Sequence, residues 1–314
     1  MGGPSYDRDV NISNSSSNFG ASNDSISKLS SRTLDSTMNP RGKKIISRSK
    51  RPIVIMLDVT GSNINFARVV YDKMPMFYGQ IEEKGYLKDF EISVCAVGDE
   101  KYDYYPLQIA DFSKGKEIDT WMEKLVLSGG GGANEHESYE LAAYYLAKNF
   151  EFDKNAKPIV FFVGDEIPYS SVSRSEAIKY GLEYGEETNG FDLLRKKVND
   201  NVFVFLNKYF GETYRSDFAD EWKRLLKKEH VIDIPEEKAI VDLMLGVLST
   251  LNKNSLDTYK ADMLGRGQSL NRIANVTAAL KEFSSALVPM EIIDSNLPKE
   301  KGLSKILTRG NRIS

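Results

Sequence analysis

Pro52-Ile53-Val54-Ile55-Met56-Leu57-Asp58-Val59-Thr60-Gly61-Ser62 decides the fold. Its first six residues form an unbroken apolar run rich in β-branched side chains, the pattern of a strand covered on both faces. Such strands belong to parallel α/β sheets, which bind ligands beyond the carboxyl ends of their strands. The polar tail begins at that end. It sets a carboxylate and two hydroxyls at alternate positions, Asp58, Thr60 and Ser62, in a loop tightened by Gly61. Three oxygens so spaced can converge on one hard cation, Mg²⁺ or Ca²⁺ rather than zinc. The competing reading is a plain βα turn in which Ser62 caps the next helix.

Outward from this stretch the same signature returns. Residues 158–163 are a second buried run, again ending at a carboxylate, in Gly164-Asp165-Glu166. Residues 90–97 read as the strand between them. The polar break at 98–103 is too short for a crossover helix, so residues 105–109 should return antiparallel, with Pro106 suited to an edge. Residues 201–206 and 231–234 complete the strands. Helical periods fill the gaps: residues 66–81, where Pro75 should kink or restart the helix; 116–127; a helix from about His136; 218–226; and the strongly apolar 239–251. A further helical stretch runs from Ser255 towards Ala286. Joined by right-handed crossovers, these elements give an α/β fold, a Rossmann-like three-layer sandwich with a mostly parallel sheet and one antiparallel edge strand. Asp58 and Asp165 then flank one crevice.

The chain has 314 residues, 41% hydrophobic and 28% charged, with a formal net charge of −3. That balance selects no class of partner, and neither nucleic-acid binding nor a membrane span is expected, since no apolar run approaches ~20 residues. The start of the chain lacks a basic-then-apolar leader, and the single Cys95 sits in an apolar segment as a small core residue, so a reducing, cytoplasmic setting is expected. Composition divides the chain into a Ser/Asn-rich disordered arm (1–45), an α/β domain (46–252) and a helical extension with a basic tail (253–314). The arm ends in Arg41, Lys43, Lys44, Arg48, Lys50 and Arg51, either a solvated linker or a docking segment for an acidic partner.

Asp58-Val59-Thr60-Gly61-Ser62 and the strand-ending Asp165 resemble the metal-ion-dependent adhesion site of the von Willebrand factor A (vWA) domain. Its first loop has the form Asp-x-Ser/Thr-x-Ser and its third loop an Asp after an apolar strand. The resemblance covers about residues 52–251. It implies the sandwich described above, a bound Mg²⁺ (or Mn²⁺ or Ca²⁺), and a non-enzymatic adaptor or scaffold role in which the cation engages an acidic residue of a protein partner. An AAA+ ATPase or another multi-protein assembly is the partner class implied. The second loop departs from the family, which usually offers a Thr there. Here Ser128 and Gly129 to Gly132 lead into Ala133-Asn134-Glu135-His136-Glu137-Ser138, making Glu135 or Asn134 the candidate ligand, with Ser128 or Ser138 as substitutes.

An enzyme reading has less to work with. The glycine run lacks the Lys-Ser/Thr of a phosphate loop, and Glu135 and Glu137 after it would repel phosphate. His136 is the only candidate general base near the crevice, with no nucleophile in a triad order around it. A dehalogenase-type phosphatase would need an Asp where Thr60 stands. A metal-dependent hydrolase or nucleotide-binding enzyme using the same crevice is the alternative, and Tyr169 is the expected rim contact.

Overall fold

Ile53, Ile55 and Leu57 of the first apolar run face one hydrophobic layer, and Val54 and Met56 the other. The period-two pleat of a strand thus turns a continuous apolar run into a sheet buried on both sides. The computed structural model describes residues 33–127, 135–207 and 215–287, with the backbone of a short hairpin between the last two. Most of the Ser/Asn-rich arm, the glycine run with Ser128 and Asn134, and the basic tail lie outside the described residues.

In chain order the elements are β1 (Ile45–Ser47), β2 (Arg51–Asp58), α1 (Ile64–Glu83), β3 (Phe90–Val97), β4 (Leu107–Gln108) and α2 (Glu117–Met122). Next come β5 (His136–Glu137), α3 (Tyr139–Asn149), β6 (Phe150–Phe152), β7 (Ile159–Gly164), β8 (Ile167–Pro168), α4 (Arg174–Lys179) and α5 (Gly190–Val198). Then β9 (Val202–Leu206), the hairpin of β10 (Tyr209–Phe210) and β11 (Thr213–Tyr214), α6 (Ser216–Leu225) and β12 (Val231–Asp233) follow. The chain continues through α7 (Ile240–Leu251), α8 (Leu256–Gly265), α9 (Leu270–Ala279) and α10 (Lys281–Leu287).

The main sheet has six strands in the order β12-β9-β7-β2-β3-β4, parallel except for β4 at one edge. Helices α1, α2 and α7 to α10 cover one face, and α3 to α6 the other, giving the expected Rossmann-like three-layer sandwich. From β2 the chain steps to β3 on one side and later returns as β7 on the other. The carboxyl ends of β2 and β7 therefore border the switch point where open α/β sheets bind ligands.

Three local expectations are corrected. Helix α1 runs unbroken through Pro75, which is buried among Met74 and Phe77. The helix expected over 116–127 stops at Met122, because Gln108 holds the backbone of Val126 on both sides: Nε2 donates to its carbonyl and Oε1 accepts from its N–H, each at 2.8 Å. The helix expected from His136 begins at Tyr139, since His136 and Glu137 pair with Ile167 and Pro168 as a two-residue parallel ladder.

Residues 33–45, assigned to the arm, are built into the body. Met38 and Ile45 are buried, β1 pairs with β6, and the Ile109 N–H donates to the Met38 carbonyl at 2.9 Å. Lys43 donates to the carbonyls of Thr37 and Ile109 and pairs with Asp111, while Lys44 pairs with Glu151. Two of the six basic residues read as a docking segment thus have partners within the chain. Among the described residues no helix is long and apolar enough to cross a membrane.

Candidate functional site

Asp58 ends β2 and is 1% exposed. Its Oδ1 accepts from the Thr60 N–H at 2.9 Å and the Thr60 hydroxyl at 2.6 Å, the tight turn the Asp-x-Thr spacing encodes. Its Oδ2 accepts from Asn63 Nδ2 at 3.0 Å and from the Tyr139 hydroxyl at 2.5 Å. Asp165 follows β7 directly, and Ser62 and Asn63 both hydrogen-bond its carboxylate. The adjacent pairing of Leu57 with Val163 brings the two loops side by side. Asp58, Thr60, Ser62 and Asp165 therefore lie together, as their positions in the sequence led us to expect.

The electrostatics of this cluster are unbalanced. The partners of Asp58 and Asp165 named above are hydroxyls and amides, all neutral. Burial, then the neighbouring Asp165, raises Asp58 to about 7 against the lowering effect of its hydrogen bonds. Burial likewise raises Asp165. Glu137, 2% exposed in β5, is pushed well above the carboxylate range by burial and by Asp58 and Glu166, and its Oε2 is buried without a partner. Glu166 is raised to about 8 by burial and by Asp165 and Asp58, and its Oε2 too is orphaned. Such a collection of desolvated acids suits a cation, and its donor set is entirely oxygen. Among the described residues no group of three or more His, Cys, Asp or Glu could hold a metal ion; the oxygens brought together here are the carboxylates of Asp58 and Asp165 and the hydroxyls of Thr60 and Ser62.

The second-loop candidates fare differently. Asn134 and Ser128 fall outside the described residues. Glu135 stands 60% exposed and pairs with Arg215 at 2.6 Å, so its carboxylate is held by the residue that precedes α6. Ser138 Oγ accepts from the Glu100 N–H at 3.0 Å. The acid this loop turns inward is Glu137, which in the sequence figured only as a charge that would repel phosphate. Glu140 is also buried; burial pushes it up to about 8, and it accepts from the Tyr169 N–H at 3.1 Å.

At the rim, Tyr169 donates to Asp99 at 3.0 Å, stacks on His136 and lies under the Lys101 ammonium. His230 is buried beside Phe203 and Phe283, with Nδ1 at 3.1 Å from the Val202 carbonyl. Tyr139 and Asn63, both contacts of Asp58, were missed: one reads as a core aromatic and the other as a helix cap.

No family model matches the chain, and no curated protein does. Solved structures do. A pilus adhesin, SpaC from Lactobacillus rhamnosus GG in an open conformation, aligns at 11% identity and a TM-score of 0.42 over 70% of this chain and 31% of the adhesin. Proximal thread matrix protein 1 from the mussel byssus aligns at 13% identity and a TM-score of 0.41 over 68% of this chain and 47% of that one. The chain thus spans about a third of the adhesin and about half of the matrix protein. Similarity at that level defines no family.

Proposed function

We propose that the chain is a vWA-type binding module that holds a divalent cation, Mg²⁺ or else Mn²⁺ or Ca²⁺, and engages an acidic residue of a protein partner without catalysing a reaction. The observation that supports it most directly is the uncompensated pair of buried Asp58 and part-buried Asp165 at the switch point of the sheet, with the hydroxyls of Thr60 and Ser62 beside them. These four residues would hold the ion. When bound, the cation would supply a positive centre that attracts a carboxylate, and a ligand set with two carboxylates and two hydroxyls would leave it incompletely neutralised. A cytoplasmic adaptor role, with an AAA+ ATPase or another assembly as partner, belongs to the same proposal through the resemblance stated above.

The test is calorimetric titration with Mg²⁺, Mn²⁺ and Ca²⁺ of the wild type and Asp58→Asn, with melting temperatures alongside. Saturating cation should stabilise the wild type, by about 2.7 kcal/mol at a hundredfold excess over Kd, and leave Asp58→Asn unmoved. Absence of any shift overturns the cation reading. ATP or GTP binding that Asp58→Asn abolishes would replace it with the nucleotide-dependent enzyme.

A further inference from the structure

Between the two carboxylates stands a side chain outside the Asp-x-Thr-x-Ser pattern. Asn63 is 0% exposed and occupies the N-cap position of α1, yet its side chain makes no capping hydrogen bond. Its Nδ2 donates to Asp58 Oδ2 and to Asp165 Oδ1, with Ser62 Oγ at 3.4 Å. Chemistry fixes the orientation of the amide. Two carboxylate oxygens within hydrogen-bond distance demand the end that carries two protons, not the carbonyl. The carbonyl oxygen, Oδ1, is consequently buried with no partner.

Both features are unfavourable for an N-cap asparagine. It forgoes the cap that its residue type is suited to make, and it leaves an acceptor desolvated and unsatisfied. What compensates is the pair of hydrogen bonds to carboxylates, each stronger than a neutral one. The amide thus ties together two acids that would otherwise face each other across a buried gap.

Resting on the cation reading above, we propose that the Asn63 amide is a neutral stand-in for the metal: it bridges Asp58 and Asp165 in the metal-free protein and is displaced when a cation takes their oxygens. Asn63 is then a determinant of affinity rather than a ligand. Cation and amide compete for the same oxygens, so every binding event breaks two charge-assisted hydrogen bonds. The device keeps the two acids satisfied without metal and raises the cation concentration at which the site fills.

The experiment uses the full chain and the metals alone. Wild type, Asn63→Ala and Asn63→Ser are titrated with Mn²⁺ and with Mg²⁺ by calorimetry, and each is melted in chelator. Serine is a good N-cap whose single hydroxyl cannot bridge both acids, so it serves if the alanine variant does not fold. Both variants should melt below the wild type in chelator and bind Mn²⁺ on the order of tenfold more tightly, each having lost a competing charge-assisted contact. Binding by the variants alone supports the stand-in more strongly still. Equal or weaker affinity than a wild type that binds overturns this inference and leaves the cation site standing. No binding by any of the three overturns both.

Discussion

Gly164 shows how closely the residues around Asp58 are fitted. A Cβ at this last position of β7 would overlap the Tyr139 hydroxyl, the same group that donates to Asp58. Gly164→Ala should therefore cost about 1–3 kcal/mol through overpacking and shift Tyr139 off Asp58. Chemical denaturation measures the first effect. Tyr139→Phe removes the hydroxyl, the nearest atom, but leaves the ring carbon Cζ at 2.7 Å from the added Cβ, so it should relieve the clash in part in the double variant; additive losses in the two singles would exclude this coupling. At this scale the sequence was legible where chemistry coincides with the end of an apolar run, as at Asp58, Thr60, Ser62 and Asp165. It was not legible at Asn63, Tyr139 or Glu137. Nothing local distinguishes a capping asparagine from a bridging one, and the burial of Glu137 follows from pairing with residues 167–168.

Among the elements, strands were easier to read than helices. A strand between two helical layers must be apolar throughout, so its limits are written in composition: β2, β3, β7 and β9 fall within a residue or two of expectation. Helix limits depended on distant partners, Gln108 for the end of α2 and the β5–β8 ladder for the start of α3. Helix α3 also carries a pH dependence. Glu140 in its first turn is raised to about 8, chiefly by burial. A carboxyl whose folded value lies above its ordinary one favours folding while protonated. Its contribution is complete below about pH 4.5 and is lost as pH rises through about 8. Between about pH 5 and pH 9 the wild type should lose on the order of a few kcal/mol that Glu140→Gln retains. Stability measured by denaturant midpoint across that range checks it; parallel pH profiles for the two proteins would refute it.

On the scale of the whole molecule, the boundaries drawn from composition cut through one packed body. The extension expected from residue 253 supplies Tyr259, Met263, Ile273, Val276, Leu280 and Phe283 to the core shared with β2 and α1. Gly246 in α7 lets Tyr259 and Leu280 approach so closely that a Cβ there would overlap them. Arg266, just past α8, and Asp242 of α7 form a nearly solvent-free pair at 2.9 Å. Composition could not reveal this, because α8 to α10 are helices of mixed polarity that each bury only a few side chains, and which ones depends on the surface they meet. At the other end, residues 33–47 lie where Met38 meets Ile109, just past β4. The open side of a sheet is a template on which a second chain can add strands, and β4 is only two residues long, with Met38 closing off the backbone beyond it. A shortened chain beginning at residue 46 would unzip that closure and bare an adhesive margin. It should form larger species than the full chain in light scattering, whereas a chain beginning at residue 33 should not; equal sizes for all three would show that the margin is harmless.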